Sequence, residues 1–327
     1  MKITIGYKDK DGNVVQAECP WAHAIRRRSR PLRWESRARE LDENAKVWNG
    51  DGLAEYERQI VLGHLATLQR ISLMVEQCSL TLAQVVENRS CQLYYLDQAG
   101  DAIRHYDLAE YCRQEFGVAP SIGENAMPKE YEHLFEGWTK KTLSQDDLGV
   151  KLVSWIEHCH ILAEAILGIA GHTLINELKI ADKLKDLSGA MYLVMCDFAR
   201  HRYFAVGMIP TLVGSWTSKK KKARREKLIV EIKSCVESTC AYVDRVCTEQ
   251  AIPTKTINAV CLEVRRSADF TLDQFGIACH FKTRGTPAWV KLVETLEHAA
   301  QEHDEFIDGV MGMIGGMPRP RARKQAE

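Results

Sequence analysis

The sequence predicts a mainly α-helical protein, a helical bundle with two small β-hairpins in its N-terminal third. Apolar residues recur at spacings of three and four over most of the last two-thirds of the chain, which is the period of an amphipathic helix. Two N-terminal segments combine short apolar runs with a glycine-containing turn, as hairpins do. The 327 residues are 45% hydrophobic and 27% charged, a globular composition that excludes wholesale disorder.

The predicted hairpins cover residues 3–18 and 92–106. In the first, Gly12 lies between two short apolar runs, where its freedom to adopt a positive φ angle suits a tight turn. The second repeats Tyr, Asp and Gly at matching positions, so we expect a similar turn there. Between the hairpins, apolar side chains at helical spacing predict a long helix over residues 53–78. These elements make up a predicted N-terminal region, residues 1–120.

Residues 121–312 are predicted to form the helical bundle, with a basic disordered tail over residues 313–327. A Ser-Gln-Asp-Asp segment at residues 144–147 has the form of a helix cap followed by first-turn acids. Five or six helices joined by short polar breaks are typical of a bundle. The side chains expected in its core are Leu152, Ile156, Ile232, Val236 and Val243.

Composition and chain termini indicate a cytoplasmic protein that does not interact with membranes. The sequence contains no uninterrupted apolar run near the roughly 20 residues of a membrane-spanning helix. Its start lacks the apolar core of a signal peptide. Eleven cysteines with scattered spacing favour reduced thiols over a disulfide framework.

The net charge of zero conceals a strong segregation of charge. Basic residues are concentrated in three segments, Arg26–Arg39, Lys219–Lys227 and Arg319–Lys324, which hold 18 of the 44 basic residues. Such segments create local positive fields that a neutral net charge does not reveal. In the second segment the cations would meet the positive end of a helix dipole, which is unfavourable unless an anion neutralises them.

These segments predict a non-enzymatic protein that binds the phosphate backbone of DNA or RNA. Arginine suits bidentate phosphate contacts, and the neighbouring Trp21 and Trp34 could stack on bases. The residues expected to contact nucleic acid are Arg26, Arg27, Arg28, Arg30, Arg33, Lys219, Lys220, Lys221, Lys222, Arg224, Arg225 and Lys227. The alternative function is a helical interaction or assembly subunit, in which the same segments dock on an acidic protein or on a second copy.

One metal-ligand pattern occurs twice in the sequence. Glu-x-x-His occurs at Glu130/His133 and at Glu157/His160, and helical-bundle di-iron sites use two such pairs with two further glutamates. At 100° per residue, the first pair faces solvent, and Glu157, His160 and Glu164 lie beside the apolar seam of their helix. We therefore expect no metal and no other cofactor.

A third possibility is catalytic. Arg58 and His64 have a spacing that resembles the Arg-x4–6-His pattern of HEPN ribonucleases, which are also all-helical. The resemblance covers seven residues and implies an RNase of the host-defence type, with Arg58 and His64 as the catalytic candidates.

Overall fold

The computed structural model describes residues 6–8, 14–16, 22, 25–26, 41–119, 126–278, 280–281 and 283. Within them the chain is mainly helical. Two short strands, β1 (Gly6–Lys8) and β2 (Val14–Gln16), pair antiparallel with Tyr7 opposite Val15. The helices are α1 (Asp42–Asn49), α2 (Glu55–Val85), α3 (Arg89–Glu115), α4 (Lys129–Leu143), α5 (Leu148–Glu177), α6 (Ile180–Lys183), α7 (Lys185–Leu212), α8 (Ser218–Glu249) and α9 (Thr254–Gln274).

Helix starts follow local capping chemistry. The side chains of Asn88, Asp147 and Thr217 each accept a hydrogen bond from a backbone amide in the first turn of α3, α5 and α8. Each cap satisfies one of the four backbone amides that have no partner within the helix. The predicted helix start near residues 144–147 lies three residues later than expected, because Ser144 ends α4 and Asp147, not Ser144, caps α5.

Helix α5 is the core of the bundle. It is long and apolar enough to cross a membrane, but 89% of its most apolar window is buried inside the protein, so it is a core helix and not a membrane span. Its middle, Glu157–Leu167, is π-helical, and all eleven residues of that segment are buried. Helices α2, α7, α8 and α9 all contact this segment.

Aromatic stacking joins α3 to α7. The rings of Tyr94 and Phe204 are stacked at 3.8 Å between centroids, and Tyr95 meets the same Phe204 edge-on at 5.1 Å. All three side chains are buried. These contacts hold the faces of α3 and α7 together one to two turns from the polar residues described below.

The helical-bundle prediction is confirmed. Within the first predicted hairpin, residues 3–18, the described strands β1 and β2 pair antiparallel, whereas the prediction of a second hairpin at residues 92–106 is wrong. Residues 92–106 lie inside α3, where the Tyr-x-Asp-x-x-Gly pattern belongs to a continuous helix. Among the described residues, β structure is limited to the two three-residue strands near the N-terminus. The five predicted core side chains of α5 and α8 are at most 2% exposed. The predicted tail at residues 313–327 lies outside the described residues.

Candidate metal centre

Three helices contribute acid–histidine pairs to one buried cluster. Each pair is separated by four residues, so both members lie on one face of their helix. Helix α3 supplies Asp101 and His105, the π-helical segment of α5 supplies His160 and Glu164, and α7 supplies Asp197 and His201. All six side chains are at most 5% exposed.

Hydrogen bonds connect these residues into one chain, in which Arg200 links Asp101 to Asp197. His201 is central: Nδ1 lies 2.8 Å from Oε1 of Glu164, and Nε2 lies 3.1 Å from Oδ2 of Asp101. The other carboxylate oxygen of Glu164 lies 2.7 Å from Nδ1 of His160. At the far end, Nε2 of His105 lies 3.0 Å from Oδ2 of Asp197. Both ring nitrogens of His201 therefore face carboxylates, which is the arrangement of an imidazolium donating two hydrogen bonds.

Two arginines complete the cluster. The Nη2 atom of Arg200 lies 2.5 Å from Oδ2 of Asp101 and 2.8 Å from Oδ1 of Asp197, and its side chain is 8% exposed. Arg104 forms an ion pair with the second oxygen of Asp101. Asp101 is thus shared by two guanidiniums and one imidazole.

The electrostatics of the cluster favour charged groups despite burial. Burial alone would raise the pKa of Glu164, but His201 and His160 outweigh it and lower this pKa to about 2. Burial opposes the charged form of His201, yet Glu164 and Asp101 raise its pKa to about 9. Burial also opposes the charged form of Asp101. The hydrogen bond from His201 and the charge of Arg200 outweigh burial, so the pKa of Asp101 lies well below its usual range. The cluster is a network of compensated buried charges.

The π-helical backbone is supported by its neighbours. The hydroxyl of Ser267 on α9 donates to the carbonyl of Ala165 at 2.5 Å, and the thiol of Cys235 on α8 lies 3.8 Å from the carbonyl of Leu162. A π-helix bonds each amide to the fifth preceding carbonyl and is uncommon outside functional sites. These contacts fix the segment that carries His160 and Glu164.

His160, Glu164 and His201 meet the requirements for one metal ion. Each offers a ligand atom, and the three atoms lie within 4.8 Å of one another. Two histidines and one carboxylate are the donor set of non-haem iron sites with open positions. The Nε2 atom of His160 is buried and has no hydrogen-bond partner within the described part of the chain. Nδ1 of His160 donates to Glu164, so Nε2 of the neutral ring carries a lone pair, and a cation bound to this buried atom would stabilise it.

In each of the two Glu-x-x-His pairs, the glutamate binds an arginine of α8 and does not share a site with its histidine. Glu157 forms an ion pair with Arg224 of α8, although His160, three residues on, belongs to the cluster. Glu130 pairs with Arg245, and His133 is exposed, so this pair holds no shared ligand. His158, Cys159 and His160 point to different partners, as helical geometry predicts: His158 contacts Thr142, and Cys159 contacts the carbonyl of Met74.

The basic residues of Lys219–Lys227 lie in the first turns of α8, and six of the seven contact other groups of this chain. Lys220 pairs with Asp147 at 2.9 Å and lies over the ring of Trp216, and Lys221 donates to the carbonyl of Gly214. Arg224 is buried against Glu157. The remaining contacts are those of Lys222 with Glu226, Arg225 with the carbonyl of Gly276 and Lys227 with Glu231. Lys219, Lys221, Lys222 and Arg225 are exposed.

Of the arginines in the first basic segment, Arg26–Arg39, the structure describes only Arg26. Arg26 forms an ion pair with Asp97 of α3 at 2.8 Å. Arg27, Arg28, Arg30 and Arg33 lie outside the described residues.

Arg58 and His64 contact different groups of the fold. Arg58 donates to the carbonyls of Trp48 and Gly50, which ties the start of α2 to the end of α1. His64 is buried against Gly171 of α5, and burial lowers its pKa to about 3. The two side chains therefore have separate structural surroundings on one helix.

A bundle with acids and histidines projecting inward from facing helices is the architecture of the ferritin-like carboxylate proteins, and the described part of this chain has it. Residues 12–287 match the family model described as "Ribonucleotide reductase, small chain". Because the match spans most of the sequence, the chain belongs to the ribonucleotide reductase small-chain family. No curated protein matches the chain.

Several solved structures share the fold. A putative class I ribonucleotide reductase from Bacillus halodurans has a TM-score of 0.71 at 12% identity, covering 84% of this chain and 99% of that one. Dimanganese(II)-NrdF of Streptococcus sanguinis has a TM-score of 0.69 at 12% identity, covering 82% and 92%. An R2-like ligand-binding oxidase with an Mn/Fe cofactor has a TM-score of 0.64 at 15% identity, covering 80% and 95%.

Family membership overturns the predicted function. The prediction of a non-enzymatic nucleic-acid-binding protein is wrong, and so is the alternative of a HEPN-like RNase, because the chain belongs to a family of reductase subunits. The basic segment on α8 has a physical explanation within the fold, since six of its seven cations contact groups of this chain. Asp101, His105, Asp197, Arg200 and His201 were missed by the sequence analysis.

Proposed function

We propose that this chain is a metal-binding redox subunit of the ribonucleotide reductase small-chain family. Its core binds one iron(II) or manganese(II) ion through His160, Glu164 and His201. The observation that carries this proposal is the convergence of these three buried side chains within 4.8 Å. The iron and manganese named for the solved structures of the same fold agree with this donor set.

The surrounding residues prepare this site for a cation. Glu164 is held as a carboxylate, because its pKa is lowered to about 2 even though the side chain is buried. Asp101 hydrogen-bonds Nε2 of His201 and fixes the orientation of the ring, as carboxylates do for metal-bound histidines. The Nε2 atom of His160 has no hydrogen-bond partner among the described residues, so His160 can offer it as its ligand atom. Metal binding must displace a proton from His201, since a protonated imidazole cannot ligate.

A bound iron or manganese ion supplies one-electron redox chemistry. The protein's own contribution is to hold the ligands and to exclude water, because every residue of the π-helical segment is buried. A chain of hydrogen bonds from Asp101 through His201 and Glu164 to His160 connects the three helices. Its carboxylates and imidazoles are spaced for proton movement between α3, α5 and α7.

The subunit acts within a protein assembly. Members of the family are small chains, which work together with a large chain, and a protein partner or self-association fits that role. Among the described residues, the one helix that is long and apolar enough to span a membrane is buried in the core of the bundle. We therefore propose a cytoplasmic subunit that pairs with a larger protein and with a second copy of itself.

Metal content tests the proposal. The protein is freed of metal with a chelator, supplied with Mn(II) or Fe(II) without oxygen, and passed through a desalting column before elemental analysis. The wild-type chain is expected to retain one ion, and Glu164→Ala or His160→Ala is expected to retain almost none. Circular dichroism establishes that each variant is folded.

Matched controls come from exposed residues of α4. Glu136→Ala and His133→Ala remove the same residue types from the surface and should retain one ion. A wild-type chain that retains no ion, or a Glu164→Ala variant that retains as much as wild type, would refute the proposed site.

A further inference from the structure

The cluster contains a repeated motif that differs from the ligand pattern of a two-metal site. Asp-x-x-Arg-His occurs at residues 101–105 on α3 and again at residues 197–201 on α7. Ferritin-like two-metal sites place histidine three residues after the acid, as Glu-x-x-His. Here arginine holds that position in both helices, and histidine follows one residue later. An arginine cannot ligate a metal, because its guanidinium has no acceptor atom and stays charged.

The arginines also occupy the carboxylates that a second metal would need. Arg200 bridges Asp101 and Asp197 with one nitrogen, at 2.5 and 2.8 Å. Both oxygens lie within hydrogen-bonding distance of a charged guanidinium, and such charge-assisted bonds are stronger than neutral ones. A ferritin-like two-metal site uses four carboxylates, whereas the cluster described here contains three, of which two are bound to Arg200. Glu164 is the carboxylate left for a metal.

Charge balance leads to the same result. Asp101, Glu164 and Asp197 carry three negative charges, and Arg104 and Arg200 carry two positive ones. With the histidines as neutral ligands, one divalent ion changes the remaining single negative charge into a single positive charge. A second divalent ion would leave three positive charges in a buried site, where uncompensated charge is very costly.

The geometry points to Arg200 as a built-in cation that takes the place of a second metal, so that this member of the family has a mononuclear centre. This inference rests on the proposed function, since it concerns the number of ions at the same site. Arg200 is a positioning residue: it holds Asp101 and Asp197 in place and does not contact the bound ion. Arg104 supports it by binding the second oxygen of Asp101.

Manganese stoichiometry tests this assignment. Wild-type protein titrated with Mn(II) is expected to bind one ion, with the electron paramagnetic resonance spectrum of an isolated Mn(II). Arg200→Gln, which removes the charge and its ion pairs with Asp101 and Asp197, is expected to bind two ions with an exchange-coupled spectrum. Arg200→Lys keeps a cation and should bind one. Arg200→His places a histidine three residues after Asp197 and should also bind two manganese ions. This variant replaces Arg200→Gln in the test if Arg200→Gln fails to fold.

Each outcome decides a different claim. Two coupled ions in the wild type would overturn the role of Arg200 and leave metal binding standing. One ion in both Arg200→Gln and Arg200→His would also overturn it, because the guanidinium would not be what excludes the second ion. No bound manganese in the wild type would refute the proposed function itself, and the mononuclear centre with it.

Discussion

Glu130 and Arg245 link two helices through a bidentate ion pair. Nε and Nη2 of Arg245 on α8 lie 2.5 and 3.0 Å from the two carboxylate oxygens of Glu130 on α4. The hydrogen bonds from Arg245 lower the pKa of Glu130. The pair is partly exposed, so solvent limits its contribution to stability.

We predict that Glu130→Gln lowers the free energy of unfolding by about 0.5–1 kcal/mol at neutral pH. Because the pKa of Glu130 is lower in the folded state, the stabilisation is present above its ordinary value near 4.5 and is lost as the pH falls through the folded-state value. Urea unfolding at several pH values measures this difference. Glu132→Gln, an exposed acid of the same helix, is the control. A difference that persists unchanged in acid would contradict the ion-pair explanation.

At the level of single residues, the sequence analysis recognised some site residues and discarded them. His160 and Glu164 were placed beside the apolar seam because a uniform rotation of 100° per residue was assumed. The π-helical segment Glu157–Leu167 has more residues per turn, so that assumption fails where the site lies. Asp101 and Asp197 were missed because a buried acid looks like a surface residue until its partner arginine and histidine are known.

Helices α2 and α5 approach each other at a glycine. A Cβ atom added to Gly171 would lie 2.7 Å from Cγ of His64, which is closer than real Cβ atoms come. Gly189, on α7, has open space around the corresponding position. Gly171 is therefore required for the close packing of α2 against α5. Gly189 is not required for packing, because a Cβ atom there would meet no other atom.

We predict that Gly171→Ala lowers the free energy of unfolding by about 1–3 kcal/mol, because it overpacks the contact between α2 and α5. Gly189→Ala should raise stability by about 0.5–1 kcal/mol, the ordinary gain of alanine over glycine within a helix. Thermal or urea unfolding measures both. The explanation would be wrong if Gly171→Ala lowered the free energy of unfolding as much in a His64→Ala background as in the wild-type chain.

At the level of elements, sequence periodicity predicted the helices with apolar seams and failed at α3. The seam of α3 includes Gln98, Asp101 and His105 among its buried residues, so hydrophobic periodicity is interrupted by polar side chains. Tyr95, Asp97 and Gly100 then matched a hairpin turn by chance. Only the partners on α7 explain why these polar residues are buried.

The whole molecule should be stabilised by the metal that it binds. An ion that binds only the folded chain adds about 2.7 kcal/mol to the free energy of unfolding at 100 times its dissociation constant. We predict that Mn(II) raises the melting temperature of the wild type and of His133→Ala. The melting temperature of His160→Ala should not change with Mn(II). Calorimetry with and without Mn(II) measures this. An equal shift for His160→Ala would place the bound ion elsewhere.

The location of a single metal ion tests the central claim most directly. Crystals of the wild-type chain grown with Mn(II) and measured near the manganese absorption edge give an anomalous difference map. We predict one strong peak per chain, within bonding distance of His160, Glu164 and His201, and no peak between Asp101 and Asp197. The absence of a peak at the three ligands, or a second peak at the position of Arg200, would contradict a mononuclear centre in the core of this bundle.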